Sequence, residues 1–351
     1  MKRKIGILFI ILMIMSVLVG CTEDNAGTGS SGLSSESVQT QGNAESGGKI
    51  NVISTIFPGY DFVREIAGDN ADVTMLLPFG AESHSFEPTP QDIIKIQNCD
   101  MFIYVGGDSD SWAKDILGSV DTSDMKIISM MDLVDVEEEE IVEGMEDDDD
   151  HGDIDNQSGV DTDTDQDTAG HEEAEAEYDE HVWTSPVNAI KIVSAISESI
   201  CEEDKDNEEI YKENTERYVQ KLEELDNDFR EVVKVAKRDT IVFGDRFPFG
   251  YFAKEYGLKY FAAFPGCSTE TEPSVKTVAF LIDKINEEKI PAVFHIEFSN
   301  ERMADTIVES TGAEKLLFHS CHNLTKEEFE GGENYYDLMK RNVQALRKAL
   351  S

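Results

Sequence analysis

The chain has 351 residues, enough for two buried cores, since domains commonly run to about 100–150 residues. Its 73 acidic residues against 30 basic ones leave a net charge of −43. That balance excludes nucleic acid as a partner, because phosphates would repel it, and suits a partner that is a cation.

Lys2, Arg3 and Lys4 precede an apolar run from Ile5 to Val19, which is too short and too N-terminal for an ordinary spanning helix. Residues 1–20 therefore read as a signal peptide. The run ends Leu18-Val19-Gly20-Cys21, which resembles the lipobox of bacterial lipoproteins. That resemblance implies cleavage before Cys21 and acylation of its thiol and new amino group, placing the globular part outside the cytoplasm on a membrane tether. An uncleaved anchor with an incidental cysteine would tether it equally. Residues 21–48, rich in Gly, Ser, Asn, Gln and Thr, read as a flexible, lipidated linker.

From residue 49 strands alternate with helices: strand 50–56, helix 61–67, strand 73–77, helix 91–98, strand 101–105, a helix from about 110 and strand 126–129. Apolar strands in such alternation predict a parallel sheet covered on both faces, here an N-terminal α/β lobe over residues 49–205. Within it, residues 137–180 hold 22 acids and no Lys or Arg. Like charges that dense cannot offset their ordering entropy, so this stretch is expected as a disordered acidic insertion. His151 and His171 lie inside it and would make it a weak, mobile cation collector or a merely solvated loop. A helix from about Pro186 to Glu202, capped by Thr184 or Ser185, resumes the lobe.

Between Tyr211 and Ala236 apolar residues recur at steps of seven, four, three, four, three and four, a one-sided stripe. Residues 206–237 thus read as a rigid helix joining two lobes. The alternation then repeats over residues 238–351, a C-terminal α/β lobe whose strands are expected at 240–243, 258–264, 292–297 and 315–318, with helices at 249–256, 275–287, 302–311 and 335–350. Besides Cys21 there are four thiols, Cys99, Cys201, Cys267 and Cys321. An even count outside the cell permits disulfides, and Cys267 with Cys321, in the same half, is the expected pair.

The histidines decide the chemistry. His84 sits in LLPFGAESHSFEPTPQD, on a loop between a strand and a helix that Thr89 and Pro90 open. His181 stands just before a helix start. His295, His319 and His322 lie in the second half, His295 within a strand, where a hydrogen-bonded core role is expected. Ligands meet open α/β sheets at strand ends, so imidazoles from both halves would converge in an interlobe cleft and offer nitrogen ligation suited to Zn²⁺. Trp183 and Phe86 would wall that site.

HSFEPTP, EHVWTSP, the long helix, FGYFAKEYGL, GCSTETEPS and LLFHSCHNLT, in this order, resemble the metal-binding (cluster A-I) substrate-binding lipoproteins of ABC transporters for zinc or manganese. The acidic loop before the second histidine resembles the zinc branch. The resemblance implies two α/β lobes joined by a rigid helix, one metal ion between them, and delivery to a membrane-embedded ABC permease by a monomer. It carries the first ligand onto His84 and the second onto His181. The third family position falls on Arg246, whose guanidinium stays protonated and cannot ligate. The fourth, usually an acid, falls on His322. The expected ligands are His84, His181 and His322, with water, His319, Asp245 or Glu297 completing the set. Mn²⁺ is the rival cargo, disfavoured because it prefers oxygen donors. No catalytic residues are expected, since no H-E-x-x-H spacing occurs, although a zinc-dependent hydrolase could also use three histidines and an open position. A surface adhesin role would require a partner on which the residues are silent.

Overall fold

The computed structural model describes residues 48–145, 177–268 and 273–351. The signal peptide, the linker with Cys21 up to residue 47, most of the acidic insertion with His151 and His171, and part of the GCSTETEPS loop lie outside the described residues.

The elements run β1 (Ile50–Ser54), α1 (Phe57–Ala67), β2 (Ala71–Met75), α2 (Pro90–Gln97), β3 (Met101–Tyr104), α3 (Ser111–Ser119), β4 (Lys126–Ser129), α4 (Pro186–Glu203) and α5 (Glu208–Lys234). There follow β5 (Thr240–Val242), β6 (Arg246–Phe247), α6 (Gly250–Tyr256), β7 (Lys259–Phe261), β8 (Phe264–Pro265), α7 (Val275–Glu288), β9 (Ala292–His295), α8 (Arg302–Thr311), β10 (Glu314–Leu317), α9 (Lys326–Gly331) and α10 (Tyr335–Ala349).

The first lobe holds a four-stranded sheet in the order β2-β1-β3-β4, every pairing parallel. In the second lobe β7 pairs with β5 and β10 with β9, again parallel. A single parallel bridge, Phe243 to Phe294, joins β5 to β9, so the order β7-β5-β9-β10 repeats that of the first lobe. β6 and β8 continue the β5 and β7 ribbon beyond Phe243 through Arg246 opposite Phe264. The expected strand 258–264 is therefore broken at Ala262–Ala263, where the Ala263 N–H turns to the carbonyl of Asp245 at 3.1 Å. Among the described residues no helix is long and apolar enough to cross a membrane.

α5 spans 27 residues, about 40 Å at about 1.5 Å per residue. Its stripe of Tyr211, Tyr218, Leu222, Leu225, Phe229 and Val232 is buried against α1, α4, α6 and α10. Burying one face against helices of both lobes makes it the spine of the molecule. α10 closes the arrangement, since its first amide, Tyr335 N–H, donates to Oδ2 of Asp61 on α1 at 2.9 Å.

Some element ends differ from their expected places for identifiable reasons. α1 begins at Phe57, four residues earlier than expected, because Pro58 is tolerated in a first turn and Gly59 is a contact residue. A Cβ at Gly59 would stand 2.5 Å from Ser54 Oγ, so glycine lets α1 lie close to β1. α9 went unforeseen: it is six residues long and strongly charged, and a Thr325–Glu328 capping box marks its start. The ends of the acidic insertion are ordered, contrary to the expectation that disorder begins at Glu137. Glu138 and Tyr178 form an antiparallel bridge, Glu139 N–H donates to Glu177 O at 2.8 Å, and Asp179 N–H to Glu137 O at 2.9 Å. Backbone pairing needs no apolar side chains, and the Tyr251 hydroxyl clamps both strands by accepting from Glu137 N–H and donating to Asp179 O.

Candidate metal centre

Three loops meet at the strand ends between the lobes. The β2–α2 loop carries His84, and its far end is fixed by the Thr89–Asp92 capping box. The segment before α4 carries His181, followed by one 3₁₀ turn over Val182–Thr184 and by Ser185, which caps α4. The β10–α9 loop carries His322. Cys321 there has φ of 60°, a left-handed conformation that costs a non-glycine residue about 1 kcal/mol or more. The His319 ring holds that turn, its Nδ1 accepting the Cys321 N–H at 2.9 Å.

The three rings converge. His84 and His181 centroids lie 5.5 Å apart, His84 and His322 5.6 Å, and His181 and His322 5.9 Å. One nitrogen from each lies within 4.8 Å of the other two. The cavity beside them is about 10 Å³, the space of one water molecule. Trp183 is buried 5.5 Å from both His181 and His322, with its Nε1–H on Ser320 O at 2.8 Å. It walls the site as expected. Phe86 does not, because its ring packs on Trp112 at 5.7 Å.

Electrostatics keep most of this cluster neutral. Burial, with His181 and His322 adding to it, pushes the His84 imidazole down to about 2. Burial likewise lowers His322, against the pull of Glu82, to about 4. His181 goes the other way: burial pulls it down, but the Asp179 carboxylate on its Nδ1, with Glu139 and Glu180 behind, raises it above the ordinary imidazole value. Nδ1 of His181 is thus engaged and Nε2 is the nitrogen left for a metal.

The profile of the family described as ZnuA, zinc-uptake complex component A, periplasmic, matches residues 52–349. The chain belongs to this ZnuA family. It is 34% identical over 312 residues to the high-affinity zinc uptake system protein ZnuA of Bacillus subtilis, covering 89% of this chain and 91% of that one. To the zinc-binding lipoprotein AdcA of Streptococcus pneumoniae it is 32% identical over 305 residues, 86% of this chain and 56% of the relative. The chain thus spans about half the length of that relative. In three dimensions it resembles the crystal structure of the Zn(II)-bound ZnuA-like domain of Streptococcus pneumoniae AdcA, with TM-score 0.67 and 29% identity over 86% of this chain and 99% of that one.

The remaining residues singled out in the sequence have other partners in this ZnuA-family chain. Arg246 stands beside the triad and forms an ion pair with Glu82, Nη2 to Oε2 at 2.6 Å. Burial pushes the Glu82 carboxyl up, yet His322 and Arg246 outweigh it and hold it at about 2. Asp245 is turned away: its Oδ1 accepts Arg246 N–H at 2.9 Å and its Oδ2 accepts Ile296 N–H at 3.2 Å. Glu297 borders the cavity but serves the His322 loop, accepting from Ser320 N–H at 2.7 Å and Ser320 Oγ–H at 2.5 Å. His319 lies behind the loop, its backbone N–H and carbonyl both bonded to the Asn342 side chain. His295 is at the end of β9 with Nδ1 3.1 Å from Ile296 O, outside the triad. The expected Cys267–Cys321 disulfide is absent, since all four described cysteines are free thiols. Cys267 lies with the carboxylates of Glu139 and Glu177 while Cys321 is buried under the His319 loop, so two thiols of the same half occupy different surroundings.

Sequence reasoning missed two participants. Asp179 precedes His181 by two residues, a spacing that could have signalled a carboxylate orienting an imidazole. Glu82 carried no such signal, because its partner is 164 residues away.

Proposed function

We propose that this chain captures Zn²⁺ outside the cytoplasm with His84, His181 and His322 and delivers it to a membrane-embedded ABC permease for import, working as a monomer held to the membrane by lipid on Cys21. The observation that carries this reading is the meeting of three imidazoles in a cavity the size of one ion, with ligating atoms within 4.8 Å of one another. Tetrahedral Zn²⁺ with Zn–N of about 2.0–2.1 Å wants nitrogens about 3.4 Å apart, within a small side-chain adjustment of this arrangement. Relatives named for zinc binding and zinc uptake support the choice of ion. An all-nitrogen donor set supports zinc over manganese. Capture rather than turnover is supported by the carboxylates nearby: Glu82 is paired with Arg246 and Glu297 with Ser320, so neither stands ready as a base.

Titration calorimetry tests the reading. One Zn²⁺ should bind per chain, and His84→Ala, His181→Ala or His322→Ala should each lose more than about a hundredfold in affinity. His295→Ala should bind as the parent does. Parent-like affinity in the His322 variant would defeat the assignment.

A further inference from the structure

The small cavity adjoins a groove of about 380 Å³ lined by Gly244, Asp245, Ser299, Asn300 and Glu301. Glu82, His84, Arg246 and Phe298 line both spaces and so form the wall between them. Two of the four, Glu82 from the first lobe and Arg246 from the second, are held together by the 2.6 Å ion pair. We propose that this pair is the gate of the metal site, and that an ion passes between groove and cavity when the Glu82 and Arg246 side chains part. The inference rests on the zinc reading above and concerns how the ion enters and leaves.

Three observations carry it. The backbone on each side of the pair is fixed: the loop before Glu82 is tied to the His322 loop, with Asn323 Nδ2–H₂ donating to Pro78 O at 2.7 Å and Ala81 O at 2.9 Å and Gly80 N–H to Leu324 O at 2.9 Å, while Arg246 lies in β6, paired with β8. Phe57 N–H reaches His322 O at 3.3 Å. With the loops tied in this way, a passage opens most readily by rotation of long side chains, which is fast and local. The second is charge. Neutral imidazoles add none, so a lone guanidinium beside a divalent cation would repel it, and Glu82 cancels that repulsion while the pair is intact. The third is size, since the groove of about 380 Å³ has room for a hydrated ion and the cavity of about 10 Å³ does not, which puts the wall where an ion sheds its water.

A gate changes the rates of entry and exit together, whereas a ligand changes affinity through release. Stopped-flow zinc uptake, and zinc release into excess chelator, separate the two. The charge-neutral double variant Glu82→Gln/Arg246→Met should accelerate both uptake and release about tenfold and leave Kd within about threefold of the parent, since a barrier of about 1.4 kcal/mol is a factor of ten. The Co²⁺-loaded form should keep its visible absorption, because the coordinating nitrogens are untouched. The swapped variant Glu82→Arg/Arg246→Glu re-forms the pair and should recover slow exchange. Parent-like rates in the double variant overturn the proposal. So does faster release alone with a changed Co²⁺ spectrum, which makes Glu82 a ligand, and so does a failure of the swap to slow exchange. A parent chain that holds no zinc removes the reading beneath it and the gate together.

Discussion

Oδ1 of Asp179 stands 2.8 Å from Nδ1 of His181 and accepts the His181 backbone N–H at 2.9 Å. One carboxylate oxygen thereby fixes the ring's orientation and its tautomer, and adds basicity to the opposite nitrogen. Asp179 is itself held by the strap that pairs Glu137–Glu139 with Glu177–Asp179, so the acidic insertion's ends reach the imidazole cluster through this one carboxylate. Replacing Asp179 with Ala should lower zinc affinity about 10–100-fold while leaving one site per chain. Calorimetry reads both numbers, and an unchanged Kd would mean that the ring is oriented by something else.

Affinity should depend on a single proton. With His84 held at about 2 and His322 at about 4, both are neutral at pH 6, whereas His181 is raised and carries a proton below its elevated value. Zinc must displace that proton, so affinity falls as pH falls, by about tenfold per unit below the His181 value. Calorimetry at pH 6 in buffers of different ionisation enthalpy should count about one proton released per zinc. A count near three would show that all three rings are protonated before binding.

Gly266 leaves no room for a side chain. A Cβ there would stand 2.9 Å from both Phe247 O and Pro248 Cα, and 3.1 Å from His181 Cε1. Two of these contacts are backbone and cannot swing aside, so Gly266→Ala must shift the β6 ribbon or the ring. The variant should unfold at lower temperature, by about 1–3 kcal/mol in stability, and bind zinc more weakly. Thermal unfolding with and without zinc measures the two effects separately.

Phe229 on α5 stacks edge-on with Phe252 at 4.8 Å and tilts against Tyr256 at 5.3 Å, fully buried where the spine meets the second lobe. Phe229→Ala should cost about 3–5 kcal/mol by denaturant unfolding. Zinc stoichiometry in the folded fraction should stay at one, because the stripe lies away from the triad.

Periodicity was enough to reveal the alternating lobes and the spine, because each element repeats a local rule at every turn or every second residue. His84, His181 and His322 were legible for a different reason: each lies in a short run of turn and cap residues that already marks a strand or helix end. Local patterning could not say which neighbours share a loop's space. Asp245, Glu297 and His319 had the right chemistry and the right loops, yet each is taken up by backbone amides of its own lobe. Nor could spacing show that the two ends of an acidic stretch would pair with each other.

The sequence by itself determined the alternation, the apolar stripe of α5 and the placing of imidazoles at element ends, since these follow from side-chain period and turn chemistry along one stretch of chain. Only the tertiary structure decided that three rings from residues 84, 181 and 322 face one water-sized space. It alone turned Arg246 from an unexplained substitution into the partner of Glu82. The physical reason is that a contact between residues far apart in the chain depends on how packed elements bring loop ends together, a quantity that no local pattern contains.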